Sequence, residues 1–153
     1  MGVVLFQREP IGTLWPELLP LAAAHWREVR WDTDSEANLD QAKLAAADDA
    51  GVYRLFTARQ DGELIGYAAF WIAHHPQNAG SLEADADAVY LRPDRRRGRT
   101  GIDLLKFADD ALQAMGVRTV YHHVRHNARD FGPVLQRLGY GPIETVHARK
   151  LSP

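Results

Sequence analysis

Apolar and polar positions alternate along six segments of the chain, and turn residues separate these segments. Such alternation predicts β-strands, here at Val3–Gln7, Val52–Gln60, Glu63–Ala73, Leu82–Leu91 and Val117–Val124, with a last strand or pair of strands at Ile143–Leu151. The Asp61–Gly62 pair between the second and third strands is typical of a tight hairpin turn. We therefore expect these two strands to be antiparallel neighbours.

Other segments have apolar residues three and four positions apart, the spacing that puts them on one side of a helix. The first runs from Thr13 to Val29, and its regular helix is expected to begin near Pro20 because proline is tolerated in a first turn. Asn38 is expected to cap a second helix that ends near Ala47. Later helices are predicted at Thr100–Met115 and Asp130–Leu138, each followed by a glycine, and a loop is predicted at His74–Ser81.

The order of these elements predicts one α/β domain over residues 1–153, of the α+β type with a mixed sheet. A whole helix separates the fourth and fifth strands, which implies a right-handed crossover between parallel neighbours. The earlier strands meet through a hairpin. We therefore expect a mostly antiparallel sheet with one central parallel pair and helices on both faces.

Composition excludes several classes of function. The chain has no cysteine, which rules out a disulfide framework, a thiolate nucleophile and a zinc–thiolate site, and which suits a cytoplasmic protein. The net charge of −2 with both signs mixed argues against binding nucleic acid over the whole surface. No apolar run is long enough to span a bilayer, so no membrane association is expected.

The segment Val89–Leu105 joins a strand end, an arginine-rich turn and the start of a helix. A helix N-terminus offers unpaired N–H groups and the positive end of the macrodipole, which together bind phosphate. Gly98 and Gly101 allow the backbone to approach a ligand closely. The arginines of the turn add positively charged side chains that are long enough to bind a phosphate. The alternative is an exposed basic turn, but the position between strand and helix favours phosphate binding. The Walker and Rossmann glycine patterns are absent.

With this loop the sequence resembles the GNAT acetyltransferases, in which the pattern (Gln/Arg)-x-x-Gly-x-(Gly/Ala) follows the fourth strand. Aligning the proline before the loop and the leucine pair after it places Arg96 first and Gly101 last, with Arg99 where the middle glycine is usual. An offset alignment begins at Arg95 and ends at Thr100. The segment His25–Glu28 (His-Trp-Arg-Glu) is similar to one in small GNAT proteins carried by phages and prophages.

The resemblance implies an N-acetyltransferase that moves acetyl from acetyl-coenzyme A directly to a primary amine in a ternary complex. The acceptor, a small molecule or a protein, stays open. Backbone groups of Tyr90 and Leu91 would pair with the pantetheine arm, and Asn127 would contact the coenzyme. The pyrophosphate would be held by the loop residues Arg96, Arg97, Gly98, Arg99, Thr100 and Gly101.

Asp85 and Asp87 are the candidate catalytic bases. They alternate along the fourth strand together with Glu83, so all three are expected on one face. The resemblance implies a carboxylate on this strand that takes the ammonium proton, directly or through water, with Asp85 the nearest match and Asp87 the second. The alternative is an inert polar face. The tyrosine that usually protonates the leaving thiolate is replaced by Leu135, which leaves Tyr121, His123 or water.

A second hypothesis is a non-catalytic module that keeps the GNAT fold and binds a partner protein or nucleic acid. Arg99 and Leu135, which depart from the family pattern, motivate it, and the near-neutral charge argues against nucleic acid. The adjacent histidines His74–His75 and His122–His123 have no metal-binding spacing, so no metal site is expected. The oligomeric state is open, with a homodimer as one alternative.

Overall fold

The computed structural model describes residues 2–152, which form a five-stranded sheet in the order β1-β2-β3-β4-β5. The strands are β1 (Val4–Arg8), β2 (Tyr53–Gln60), β3 (Glu63–His75), β4 (Asn78–Leu91) and β5 (Thr119–Tyr121). The helices are α1 (Ile11–Val29), α2 (Gln41–Asp49), α3 (Thr100–Ala114) and α4 (Gly132–Arg137), with one 3₁₀ turn at Pro93–Arg95. β4 and β5 are parallel and the other neighbours are antiparallel, which confirms the predicted mixed sheet.

The apolar core lies on both faces of the sheet. Phe56 and Phe70 pack with residues of α3 and α4 on one face. On the other face Tyr53 and Leu55 pack with residues of α1 and α2. Burial of both faces is the main favourable contribution to folding, and it confirms the prediction of helices on both sides.

Helix α1 begins at Ile11, so the predicted start near Pro20 is wrong. Pro16 and Pro20 both lie inside the helix, where each lacks the N–H that would bond to the carbonyl four residues earlier. The residues that precede Pro20 bury a full apolar stripe, with Ile11, Leu14 and Leu18 almost inaccessible. Burial of side chains of this size contributes about 1.5–3 kcal/mol each, enough to offset the missing hydrogen bonds.

Helix α2 is capped by Asp40 instead of the predicted Asn38. The Asp40 Oδ1 accepts a hydrogen bond from the Lys43 backbone N at 3.0 Å, and the helix runs two residues beyond Ala47. The shift brings Asp48 into the helix, on the side that faces the sheet. Asp48 then lies beside the start of α1.

Asp48 is the buried charge that joins α1, α2, β1 and β2. It is 4% exposed, and its Oδ2 accepts from the Ile11 backbone N at 3.0 Å. Its Oδ1 accepts from Arg8 at 2.6 Å and from Arg54 at 3.2 Å. Pro10 precedes α1 and has no side-chain acceptor, so Asp48 takes over the role of a capping residue for α1.

The two hairpins of the sheet differ in how well the sequence predicts them. Asp61 and Gly62 both have positive φ, 53° and 79°, as a two-residue primed turn requires, so the first hairpin is confirmed. The loop predicted at His74–Ser81 is wrong, because β3 continues to His75 and β4 begins at Asn78. The Nδ1 of His75 accepts from the Gln77 backbone N at 3.0 Å and closes this turn.

The C-terminal part of the sheet is smaller than predicted. β5 covers three residues of the predicted Val117–Val124, and the strand expected at Ile143–Leu151 does not form in the described chain. Ile143 and Val146 are 74% and 72% exposed. They are three positions apart, so in a strand they would point to opposite faces and neither face would be apolar.

The bounds of β1, α3 and α4 lie within two residues of the predicted ones. None of the described helices could cross a membrane.

Replacing Asp48 with asparagine is expected to lower the free energy of unfolding by about 3 kcal/mol, because the change leaves two arginines facing a neutral group in a buried site. Urea unfolding followed by circular dichroism measures the difference. Asp49→Asn, one residue along on the exposed side of α2, is the control and is expected to change stability by less than about 0.5 kcal/mol. Equal losses in the two variants would contradict the role given to Asp48.

Candidate active site

A gap opens between β4 and β5 because their parallel ladder is only three pairs long. The ladder ends at the pair Asp85–Tyr121. β4 then continues to Leu91 with β3 as its only neighbouring strand in the described sheet. A cavity of about 380 Å³ occupies the gap, and it is lined by His25, Val29, Trp71, Asp85, Ala86, Asp87, Ala88, Val89, His122, His123, Arg125 and Phe131.

A β-bulge lies in β4 beside this cavity. Ala88 pairs with Ala69 and Ala86 pairs with Phe70, so Asp87 has no partner on β3. A bulge adds one residue to a strand and redirects the side chains that follow it. Asp85 and Asp87 both line the cavity, as strand alternation alone would place them, and the bulge turns Ala88 to the face opposite Ala86.

The two predicted carboxylates have different partners. The Oδ2 of Asp87 accepts a hydrogen bond from the Tyr53 hydroxyl at 3.0 Å. Burial, and next the charge of Asp87, raise the pKa of Tyr53, so its hydroxyl stays protonated and donates. Asp85 Oδ1 lies 2.5 Å from the Nε2 of His123. Glu83 instead accepts from the Tyr121 hydroxyl at 3.3 Å and does not line the cavity.

Arg96 connects the end of β4 to α1. Its Nε donates to the Leu91 carbonyl and its Nη2 donates to Glu28, both at 2.7 Å, and its guanidinium lies 5.5 Å from the centre of the Tyr90 ring. Tyr90 in turn lies 5.3 Å from the ring of His25. Burial lowers the pKa of His25, so this residue is a neutral part of the cavity wall at neutral pH.

The arginine-rich loop leads into an uncapped helix. Gly98 has a φ of +87°, α3 begins at Thr100, and no side chain caps its first turn. The first three N–H groups of α3 thus have no partner within the helix and are available to an anion. Arg97 is exposed, and Arg99 is 71% exposed with one long contact of 3.4 Å to Asp103.

The other arginines of this loop are held by neighbouring polar groups. Arg92 pairs with Glu63 and Asp94, and Arg95 donates to Asp94 and Gln60. These contacts fix the turn after β4. They leave Arg97 and Arg99 as the loop arginines with the greatest freedom to reach a phosphate.

Strand alternation decides which backbone groups of β4 face the gap. The Arg92 N–H donates to Ile65 of β3, so the backbone groups of Tyr90, two residues earlier, also face β3. Those of Leu91 and Val89 face the gap. β3 approaches closely here, because a Cβ at Gly66 would lie 2.7 Å from the Tyr90 carbonyl oxygen.

His122 and Asn127 complete the region. His122 lines the cavity, and neither of its ring nitrogens has a hydrogen-bond partner among residues 2–152. The sequence pattern does not distinguish His122 from the other histidines of the chain. The Nδ2 of Asn127 donates to the Arg30 carbonyl at 2.7 Å and to that of Val29 at 3.4 Å, which ties the loop after β5 to the end of α1.

The model of the acetyltransferase (GNAT) family matches residues 15–140. The chain belongs to the GNAT family. No curated protein matches it in sequence. The matched range begins within α1 and ends three residues after α4, so it includes the bulge, the gap and the arginine-rich loop.

Solved structures share the fold of this GNAT protein at low sequence identity. A GCN5-related N-acetyltransferase from Ralstonia eutropha JMP134 is 16% identical, with a TM-score of 0.78 and coverage of 98% of this chain and 100% of that one. A predicted acetyltransferase from Clostridium acetobutylicum, solved with acetyl-CoA, is 13% identical, with a TM-score of 0.74 and 97% coverage of both chains. An aminoglycoside acetyltransferase from an uncultured soil metagenomic sample, solved with sisomicin, is 13% identical, with a TM-score of 0.75 and coverage of 98% and 97%.

The GNAT family uses acetyl-coenzyme A, and the geometry of this chain fits that molecule. A backbone edge of β4 faces a gap, a cavity fills the gap, and an uncapped helix N-terminus with exposed arginines lies at the end of the same strand. These are partners for an amide-containing arm, a thioester and a pyrophosphate, respectively.

Acid is expected to destabilise the protein through His122. Burial lowers the pKa of His122 to about 4 from 6.5, so the unfolded chain binds a proton that the folded protein does not. The contribution is therefore present above about pH 6.5 and is lost as pH falls towards 4. Urea unfolding is expected to show a loss of about 2 kcal/mol between pH 7 and about pH 5 that His122→Phe largely removes. The exposed His126→Gln serves as the control, and a loss that persists unchanged in His122→Phe would contradict this assignment.

Proposed function

We propose that the protein is an N-acetyltransferase that moves acetyl from acetyl-coenzyme A directly to a primary amine while both substrates are bound. The observation that carries the proposal is the gap between β4 and β5. It connects a cavity with two carboxylates to the uncapped start of α3. Family membership supports acetyl transfer in general, and the residues of this chain support the details.

For the coenzyme, we infer two groups of contacts. The backbone of Val89 and Leu91 pairs with the pantetheine arm, since these residues face the gap. The Tyr90 backbone, which the resemblance paired with this arm, faces β3 instead, and its ring packs against His25. Of the residues predicted for the pyrophosphate, Arg97 and Arg99 reach it with their side chains and Gly98, Thr100 and Gly101 with backbone N–H groups. Arg96 orders the loop from behind by holding Leu91 and Glu28. Asn127 donates to the Arg30 carbonyl at the end of α1, and its contact with the coenzyme stays a prediction.

For the chemistry, we infer that Asp87 accepts the proton that the attacking amine must lose. One of its oxygens is held by Tyr53, and the carboxylate lines the cavity. Asp85 is already paired with His123, so it orients the cavity wall and is the second candidate base. Acetyl-coenzyme A supplies the thioester as acyl donor.

For the acceptor, the cavity favours an amine on a cationic small molecule. Asp85 and Asp87 give it two negative charges against the one positive charge of Arg125, His25 and His122 are neutral, and Trp71 adds an aromatic ring to the lining. A structural neighbour is an aminoglycoside acetyltransferase solved with sisomicin, an acceptor of this kind.

A phage-type origin, a cytoplasmic location and a homodimer stay predictions.

The first test is calorimetric titration of acetyl-coenzyme A. We expect saturable binding by the wild type that weakens as salt rises. The double variant Arg97→Ala/Arg99→Ala is expected to weaken it about tenfold to a hundredfold, because two charge-assisted hydrogen bonds to phosphate are lost. Arg118→Ala, which changes an exposed arginine just before β5, is the control for net charge. A well-folded wild type that binds no coenzyme would favour the non-catalytic alternative.

The second test compares the two aspartates in acetyl transfer to polyamines and aminoglycosides, followed by release of free thiol. Asp87→Asn is expected to lower kcat by about a hundredfold or more, because a general base is lost. Asp85→Asn is expected to have a smaller effect, and the exposed Asp110→Asn on α3 none. The reverse order of the first two variants would make Asp85 the base.

A further inference from the structure

Arg125 is the one arginine that lines the cavity in the described chain, and it is exposed. Arg96 is held by Glu28 at 2.7 Å, whereas Arg125 forms no ion pair within residues 2–152. A guanidinium binds a carboxylate through two parallel N–H donors. Arg125 therefore keeps these donors free for a molecule that enters the cavity.

The backbone that carries Arg125 is anchored beside the cavity. Its carbonyl accepts a hydrogen bond from the Ala128 N–H at 3.3 Å, which closes a turn. Asn127, inside that turn, donates from its Nδ2 to the Arg30 carbonyl at 2.7 Å, just past the end of α1. His25 of α1 lines the same cavity. The turn is thus attached to the helix that forms one wall, and it holds Arg125 within reach of a bound molecule.

The carboxylates of the cavity come from the other side of the gap. Asp85 and Asp87 belong to β4, whereas Arg125 follows β5. The two strands separate beyond the pair Asp85–Tyr121, so a molecule in the gap meets carboxylates from one strand and a guanidinium from beyond the other. Burial has the largest effect on the pKa of His25 and lowers it, and charges of both signs act on this ring as well, among them Asp87 and Arg125. These two opposite charges are therefore both near one residue of the cavity wall.

The charges of the lining match a molecule with two amines and one carboxylate. An acceptor that carries only ammonium groups is attracted by the two aspartates and repelled by Arg125. An acceptor that also carries a carboxylate satisfies the guanidinium, and such complementarity determines specificity. The cavity of about 380 Å³ is near the lower limit of roughly 300 Å³ for small-molecule sites, which favours a compact acceptor. An amino acid with a basic side chain has this set of charges and is compact.

We propose that Arg125 determines acceptor specificity by binding the carboxylate of an amino acid with a basic side chain, while an amine of that acceptor lies at Asp87. The inference rests on the proposed acetyl transfer and names its acceptor class. In the transfer, the amine nitrogen forms a bond to the acetyl carbon, the C–S bond breaks, and its electron pair goes to sulfur. Asp87 takes the proton of the amine, and solvent protonates the sulfur. Arg125 holds the acceptor and exchanges no proton with it.

The test compares two acceptors, lysine and cadaverine, which is the same diamine without the carboxylate. Release of free thiol from acetyl-coenzyme A reports transfer to either amine. Arg125→Gln is expected to lower kcat/KM for lysine by about tenfold to a hundredfold, because charge-assisted hydrogen bonds to the carboxylate are lost. The kcat/KM for cadaverine is expected not to fall, since the variant removes a positive charge that repels the diamine.

Two matched variants serve as controls. Arg125→Lys keeps the positive charge without the paired donors, so it is expected to retain part of the preference for lysine. Arg129→Gln changes an exposed arginine of the same loop that does not line the cavity, and it is expected to alter neither kcat/KM. The KM for acetyl-coenzyme A is expected to be the same in the wild type and in all three variants.

Several outcomes would overturn the inference. Equal losses for lysine and cadaverine in Arg125→Gln would mean that Arg125 acts on the aspartates and not on an acceptor carboxylate. A raised KM for acetyl-coenzyme A with an unchanged preference between the two acceptors would place Arg125 at the coenzyme. Transfer to cadaverine or sisomicin but not to lysine would overturn the acceptor class alone and leave the proposed acetyl transfer intact. The absence of thiol release with all three amines would overturn the proposed acetyl transfer, and this inference with it.

Discussion

The structure depends on where the parallel pairing of β4 and β5 stops. Parallel strands that stayed paired along their whole length would leave no free backbone edge and no space between them. Here the ladder ends at Asp85, and β4 continues to Leu91 with one side uncovered. That uncovered side provides the cavity, the backbone groups that face it and the direct route to the start of α3. The bulge at Asp87 lies just past the end of the ladder, where β4 is free to accommodate an extra residue.

Helix α1 links the stability of the fold to the geometry of the site. Its first N–H is held by Asp48, which also binds arginines from β1 and β2. Its other end carries His25 to the cavity wall and Glu28 to Arg96. A shift of α1 along its axis would therefore move the cavity and the loop after β4 together. This explains why two internal prolines are tolerated, since the helix is fixed from both ends and along its buried stripe.

Charge in the site is arranged so that the two sides of the gap differ. Asp85 and Asp87 stand on one side with the Tyr53 hydroxyl and His123 as their partners. The other side is apolar apart from His122, and burial keeps that ring neutral. The proposed cationic acceptor is attracted to the first side. Two arginines near the end of β4 are kept from the carboxylates, because Arg96 is paired with Glu28 and Arg92 with Glu63 and Asp94. Arg125 lines the cavity together with the carboxylates.

The sequence by itself determined the order of elements, the first hairpin, the mixed sheet and the loop between Leu91 and α3. These features follow from local periodicity and turn chemistry, which act over a few residues, as the positive φ angles of Asp61 and Gly62 show. The prediction of a single domain stays a prediction. Tertiary structure alone decided the start of α1, the short β5 and the unpaired segment near Ile143, because these depend on which surface each segment can bury. It also decided the hydrogen bond between Tyr53 and Asp87, and it left the His122 ring without a hydrogen-bond partner among residues 2–152. Both outcomes depend on residues that are far apart in the chain, and no local pattern records such distances.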